Sequence, residues 1–165
     1  PEFTHTMPVS VTAATGMDAI THAVESYISN MATPLTKYNA TAGLRLLQEY
    51  LPRAVKDGSD MEAREQMMLG CVITGFGFSN ANLGFVHAIA HTLSAHFGLA
   101  HGMANACVLP YVMAYNAEAV PELMVELAEA IGLETSGEIE KDRLLLSDAL
   151  SAGRQKKKQQ KHIMK

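Results

Sequence analysis

The segment from Gly84 to Gly102, GFVHAIAHTLSAHFGLAHG, carries His87, His91, His96 and His101, four of the seven histidines in the chain. Imidazole both ligates first-row metals and moves protons near neutral pH, so what matters first is how these rings are spaced. The segment reads as a helix ending at Gly98, a residue type suited to the left-handed position just past a helix end. His87 and His91 are four apart and share one face of that helix. His96, five beyond His91, points elsewhere. His101 lies past the break and opens a second apolar segment, HGMANACVLPYVMAYN. Two imidazoles on one face, with a third on the next helix, make half of a metal site.

The other half lies near the start of the chain. In TGMDAITHAVE, Asp18 and His22 are again four apart on a face otherwise built from Met17, Ala19, Ile20, Ala23 and Val24. A carboxylate facing a core is costly unless it is paired, hydrogen-bonded or bound to metal. Each residue alone has an ordinary explanation: a capping box from Thr15 for Asp18, and a backbone-bonded core imidazole for His22. Two pairs at the same spacing, both on apolar helices, favour a shared site. Asp18, His22, His87 and His101 together offer one oxygen and three imidazole nitrogens. That set suits iron(II) or zinc, with manganese, cobalt and nickel also compatible. Two cysteines are too few for a cysteine-rich structural zinc site, and a single carboxylate disfavours magnesium and calcium. Histidine ligates only when neutral, so metal affinity is expected to fall as pH drops through about 6.5.

Those residues need helices to hold them, and the composition agrees. The chain has 165 residues, 48% apolar and 18% charged, with ten methionines and no tryptophan. β-branched runs are scarce and no segment alternates with period two, so an all-α bundle of five to seven helices is expected. One helix spans about 11–30. A second starts at Thr33 as N-cap with Pro34 in its first turn, and Pro52 kinks or ends it before the Asp57-Gly58 turn. Ser59 and Glu62 have capping-box spacing and start a third. Gly70, Gly75, Gly77 and Gly84 then cluster; close helix packing explains such a run better than approach of the backbone to a ligand. After the histidine helix come helices over about 102–116 and 121–131, the latter with a proline start and a stop at Gly132. A short helix is expected in EKDRLLLSDAL.

The net charge of -4 gives no reason to expect nucleic acid or an anionic membrane as partner. Cys71 and Cys107, far apart in apolar segments, fit buried free thiols of a reducing compartment. No signal peptide opens the chain and no apolar run is long enough to span a bilayer, so a cytoplasmic location is expected.

TAATGMDAITHAVESYIS, GFSNANLGFVHAIAHTLSAHFGLAHGMANA and LPYVMAYN resemble the iron-containing (group III) alcohol dehydrogenases over about residues 1–133. The likeness is to their helical C-terminal half, the dehydroquinate synthase-like fold, in the subgroup of lactaldehyde reductase and 1,3-propanediol or butanol dehydrogenases. It implies a metal, Fe(II) ahead of Zn, held by Asp18, His22, His87 and His101. It also implies that His91 lies by the nicotinamide and relays a proton. A fifth ligand at His91 would in any case crowd out the substrate oxygen, and a catalytic metal keeps an open position. The activity implied for the complete enzyme is NAD(P)-linked interconversion of a small alcohol or diol and its aldehyde or ketone. The complete enzyme is expected to be a homo-oligomer, a dimer. His96 has no counterpart role and is expected to be structural or exposed.

No glycine-rich phosphate loop after a strand occurs here; Gly75 and Gly77 lie in helical context. Residues 1–150 are therefore expected to be an all-helical metal-binding domain that is incomplete, with residues 151–165 a basic, disordered tail. On the same reading, the N-terminal dinucleotide-binding domain of the resembled family is expected to be absent from the chain. The alternative function is a non-catalytic helical metal-binding fragment that folds but lacks activity without that domain.

Overall fold

Helix α1, Val9–Ile28, packs against α2, Pro34–Lys56, and α3, Met61–Ala81, in the computed structural model of the chain, which describes residues 1–151. A 3-10 turn at Glu2–Thr4 precedes them. Next come α4, Phe85–Phe97, α5, His101–Ala119, α6, Pro121–Ala130, and the short α7, Ile139–Asp142, with a last helical stretch over 145–151. No strand occurs among the described residues, so the fold is all-α as expected. Apart from Ser151, which is helical, the tail lies outside the described residues.

The chain divides into two compact units, Pro1–Val108 and the residues from Leu109 onward. In the first unit, α2 and α3 pack closely because small residues line the seam. A Cβ on Gly43 would meet Thr74 Oγ1 at 2.2 Å and the Gly70 carbonyl at 3.0 Å. Gly70 itself faces the Leu47 side chain, and Gly77 faces the backbone of Thr36 and Ala40. Packing thus accounts for Gly70 and Gly77, while Gly75 has nothing within 4 Å of a built Cβ. Leu44, Leu47, Ala63, Met67, Val24 and Ala23 fill the space among the three helices.

Local signals set most helix ends. Thr33 caps α2 by accepting from the Thr36 amide at 3.2 Å, with Pro34 in the first turn. Pro52 neither ends nor interrupts α2, which runs to Lys56 at the loss of one ladder hydrogen bond. The N-cap of α3 is Asp60, not Ser59: Asp60 Oδ1 accepts from the Ala63 amide at 3.0 Å. Ser59 is drawn away because its amide and hydroxyl both donate to Asp57 Oδ1, at 2.9 and 2.6 Å. Gly98 closes α4 in the left-handed conformation, φ 65°.

In the second unit, α6 starts with Pro121 and is closed by the turn at Gly132, φ 85°. Asp142 holds the loop before α7 by accepting from the Ser136 and Gly137 amides at 2.8 and 3.0 Å. Cys71 is exposed and Cys107 half-buried, so the expected burial of both thiols does not hold; Cys71 lines an open cavity with Thr12, Thr15 and Gly16 of α1. Among the described residues no single helix is long and apolar enough to cross a membrane. Helices α3 and α4 would qualify only as a pair, bent by 103°.

Candidate metal centre

Helix α1 contributes Asp18, His22 and Glu25, spaced so that all three project along one side of the helix. His22 Nε2 lies 3.8 Å from Asp18 Oδ1, and the His22 ring stacks on Phe78 at 4.2 Å. Thr15 is no cap for Asp18: α1 is continuous there, and the Thr15 hydroxyl donates back to the Val11 carbonyl at 2.9 Å.

The first turn of α4 brings His87 to this face. Gly84, the N-cap of α4, has no side chain to satisfy the turn's amides. Glu25 does so from α1. Its Oε1 accepts from the Val86 amide at 2.7 Å, and its Oε2 stands 3.4 Å from the His87 amide. The same Oε2 is 2.7 Å from His87 Nδ1, which turns His87 Nε2 toward Asp18 Oδ1 at 3.3 Å. His87 is 3% exposed and Glu25 2%. The ring of His87 stacks on that of His22 at 4.5 Å.

The first turn of α5 brings His101. A Cβ on Gly102 would lie 1.9 Å from the Ala14 carbonyl oxygen, so only glycine lets α5 begin this close to α1. His101 Nε2 then lies 3.5 Å from Asp18 Oδ1. One turn on, fully buried Asn105 donates from Nδ2 to Asp18 Oδ1 at 2.6 Å. That Nδ2 is also 3.2 Å from His87 Nε2 and 3.1 Å from His101 Nε2, while Asn105 Oδ1 has no hydrogen-bond partner.

Ligand atoms of Asp18, His22 and His87 all lie within 4.8 Å of one another. A single ion bonded at about 2.0–2.2 Å could span them after small side-chain rotations. His101 approaches Asp18 but falls outside that tightest trio. His91 is exposed at the rim, its ring stacked on His101 at 5.0 Å and edge-on to His87 at 6.1 Å. His96 is exposed on the last turn of α4, away from this cluster.

The charges are arranged to match. Burial alone would raise the Asp18 carboxyl. The His87 hydrogen bond, the His22 and His101 rings and Asn105 together hold it below its ordinary value. Burial pushes the His22 imidazole down against the pull of Asp18, leaving a neutral ring. His87 is the opposite case: burial disfavours its charge, but hydrogen bonds to Asp18 and Glu25 outweigh that and push it up to about 9. The pH threshold expected near 6.5 therefore moves upward for this ring. Glu25, raised by burial, is lowered on balance by the bonds from His87, Gly84 and Val86.

The donor chemistry fits a divalent first-row ion: three imidazoles and one carboxylate, with one ligand fully enclosed. The orphaned Asn105 carbonyl and the crowding of lone-pair donors around its Nδ2 agree with a centre built for a cation. Residues 12–163 match the Fe-containing alcohol dehydrogenase family, C-terminal. The chain belongs to that family. It is 48% identical over 130 residues to 1,3-propanediol dehydrogenase of Citrobacter freundii, covering 79% of this chain and 34% of that protein. It is 42% identical over 137 residues to the NAD-dependent methanol dehydrogenase of Bacillus methanolicus, covering 83% and 36%. The solved alcohol dehydrogenase from Oenococcus oeni superposes with a TM-score of 0.86 at 38% identity, over 88% of this chain and 38% of that one. The chain thus spans about a third of the length of the curated relatives it matches.

Glu25 and Asn105 are the site residues that the sequence alone did not yield. Each had a signal: Glu25 stands seven residues after Asp18, and Asn105 four after His101, both on the face of a named ligand.

Proposed function

We propose that this chain is the metal-binding part of an alcohol dehydrogenase that interconverts a short alcohol or diol and its aldehyde or ketone using NAD(P). The observation that carries the reading is the convergence of Asp18, His22 and His87 within 4.8 Å on a partly enclosed face. Family membership supports the reaction type, and the relatives named for 1,3-propanediol and methanol support small substrates.

In this reading Asp18, His22, His87 and His101 hold a divalent ion, Fe(II) ahead of Zn. When bound, the ion supplies Lewis acidity toward a carbonyl or alkoxide oxygen, and NAD(P) supplies the hydride chemistry. Asp18 offsets the ion's charge, and without the ion its Oδ1 is held by the bond from Asn105 Nδ2. His87 is buried and clamped, so it sets the inner wall. His22 and His101 lie nearer solvent and leave the outer side open to substrate. A ring nitrogen of His91, at that rim, takes or returns the alcohol hydroxyl proton as general base and acid. The complete enzyme is read as a dimer acting in the cytoplasm, without nucleic acid or membrane partners.

The test is NAD reduction by the complete polypeptide with 1,3-propanediol and methanol, with and without chelator, and in Asp18→Ala. Turnover that vanishes with chelator and with Asp18→Ala supports the reading; turnover indifferent to both contradicts it. The isolated 165-residue chain is expected to bind the ion and show no turnover.

A further inference from the structure

Glu25 has no place among the proposed ligands, yet it is one of the most enclosed charged groups in the chain, 2% exposed. Both its oxygens are committed as acceptors: Oε1 to the Val86 amide at 2.7 Å, Oε2 to His87 Nδ1 at 2.7 Å and the His87 amide at 3.4 Å. Gly84 leaves room for this, since a Cβ there would come within 2.8 Å of Glu25 Oε1. The α4 N-terminus has no side-chain cap of its own, so the carboxylate at once satisfies its amides and complements its dipole.

We propose that Glu25 is the positioning residue of the metal centre: one carboxylate docks the first turn of α4 on α1 and keeps the proton of His87 on Nδ1, leaving Nε2 to face Asp18. A ligating imidazole is commonly held in this way through its second nitrogen, and the partner fixes both ring orientation and tautomer. The arrangement requires an acceptor at both oxygens. Glutamine has the same shape but only one acceptor. If its carbonyl serves Val86, its NH2 group faces His87 Nδ1 and drives the ring proton to Nε2, the nitrogen meant for the ion. If its carbonyl serves His87, its NH2 group confronts the Val86 amide.

This inference rests on the metal-centre reading above, and the experiment separates the two. Zinc(II) is titrated calorimetrically into the chain and into Glu25→Gln, at a temperature where circular dichroism shows both equally helical. The His87 ring nitrogens of the zinc-loaded forms are then assigned by 15N NMR. Wild type is expected to show zinc bound with His87 protonated at Nδ1. Glu25→Gln should bind zinc about 10–100-fold more weakly and lose that signature. A purely structural Glu25 would lower the melting temperature but leave both readouts alone; equal zinc affinity and an unchanged His87 signature would overturn the proposal. If wild type binds no zinc, the metal-centre reading fails and the proposal falls with it. If Glu25→Gln does not fold, Gly84→Ala replaces it, displacing the carboxylate without removing it. The same weakening is expected there, and wild-type affinity would overturn the proposal.

Discussion

Asp18 on α1 and His87 on α4, 69 positions apart in sequence, meet with Oδ1 3.3 Å from Nε2. Their contact joins two helices whose main chains do not run alongside each other, because only the first turn of α4 reaches α1. The first turn of α4 docks end-on against α1, held by Glu25.

The metal-free chain should lose stability as pH rises. The folded-state value of His87, about 9, exceeds the unfolded value near 6.5. Its charge therefore contributes stability that is fully present below pH 6.5 and is lost as pH rises through about 9. The slope is at most about 1.4 kcal/mol per pH unit for one proton. Thermal melts in chelator between pH 6 and 9.5 should show a falling Tm, and His87→Gln should flatten the trend.

Metal affinity should run the other way. Ligation needs the Nε2 lone pair of His87, so an ion must displace its proton. Apparent affinity for zinc should climb by up to about tenfold per pH unit below pH 9 and then level off. Calorimetric titrations at several pH values check this, and the heat measured in buffers of different ionisation enthalpy gives the released proton.

Gly102→Ala should damage both fold and site. A methyl group 1.9 Å from the Ala14 carbonyl cannot be accommodated without moving α5 away from α1. Overpacking of this kind typically costs about 1–3 kcal/mol. Denaturant unfolding in chelator should show that loss. Zinc affinity should also fall, since His101 immediately precedes the glycine.

Periodicity made much of this legible. Asp18 with His22 and His87 with His91 stand out because four-residue spacing on an apolar helix is readable without a structure. Gly98 and Pro121 mark helix ends through backbone constraints that act locally. Glu25 and Asn105 escaped because a polar residue on a helix looks the same whether it meets water or the end of another helix. The choice of Asp60 over Ser59 as a cap turned on Asp57 capturing the serine, and burial of Cys71 failed because apolar neighbours along α3 face outward.

His87 and His91 should separate into distinct roles in the complete enzyme. His87 is buried and bonded to Glu25, whereas His91 is exposed at the rim. His91→Ala should keep metal content near normal and lower turnover by roughly 10²–10⁴-fold. His87→Ala should lose metal and turnover together. Elemental analysis alongside NAD-linked assays checks both, and an emptied site in His91→Ala with a filled one in His87→Ala would reverse the assignment.

In the proposed centre, Asp18, His22, His87 and His101 hold one ion. This is tested most directly by anomalous diffraction at the metal edge on crystals of the chain loaded with iron(II) or zinc(II). One peak is expected about 2.0–2.2 Å from an Asp18 oxygen and from Nε2 of His22, His87 and His101, with Asn105 Nδ2 moved aside and His91 unbound. A peak elsewhere, or one that includes His91 and leaves out His101, would contradict the account.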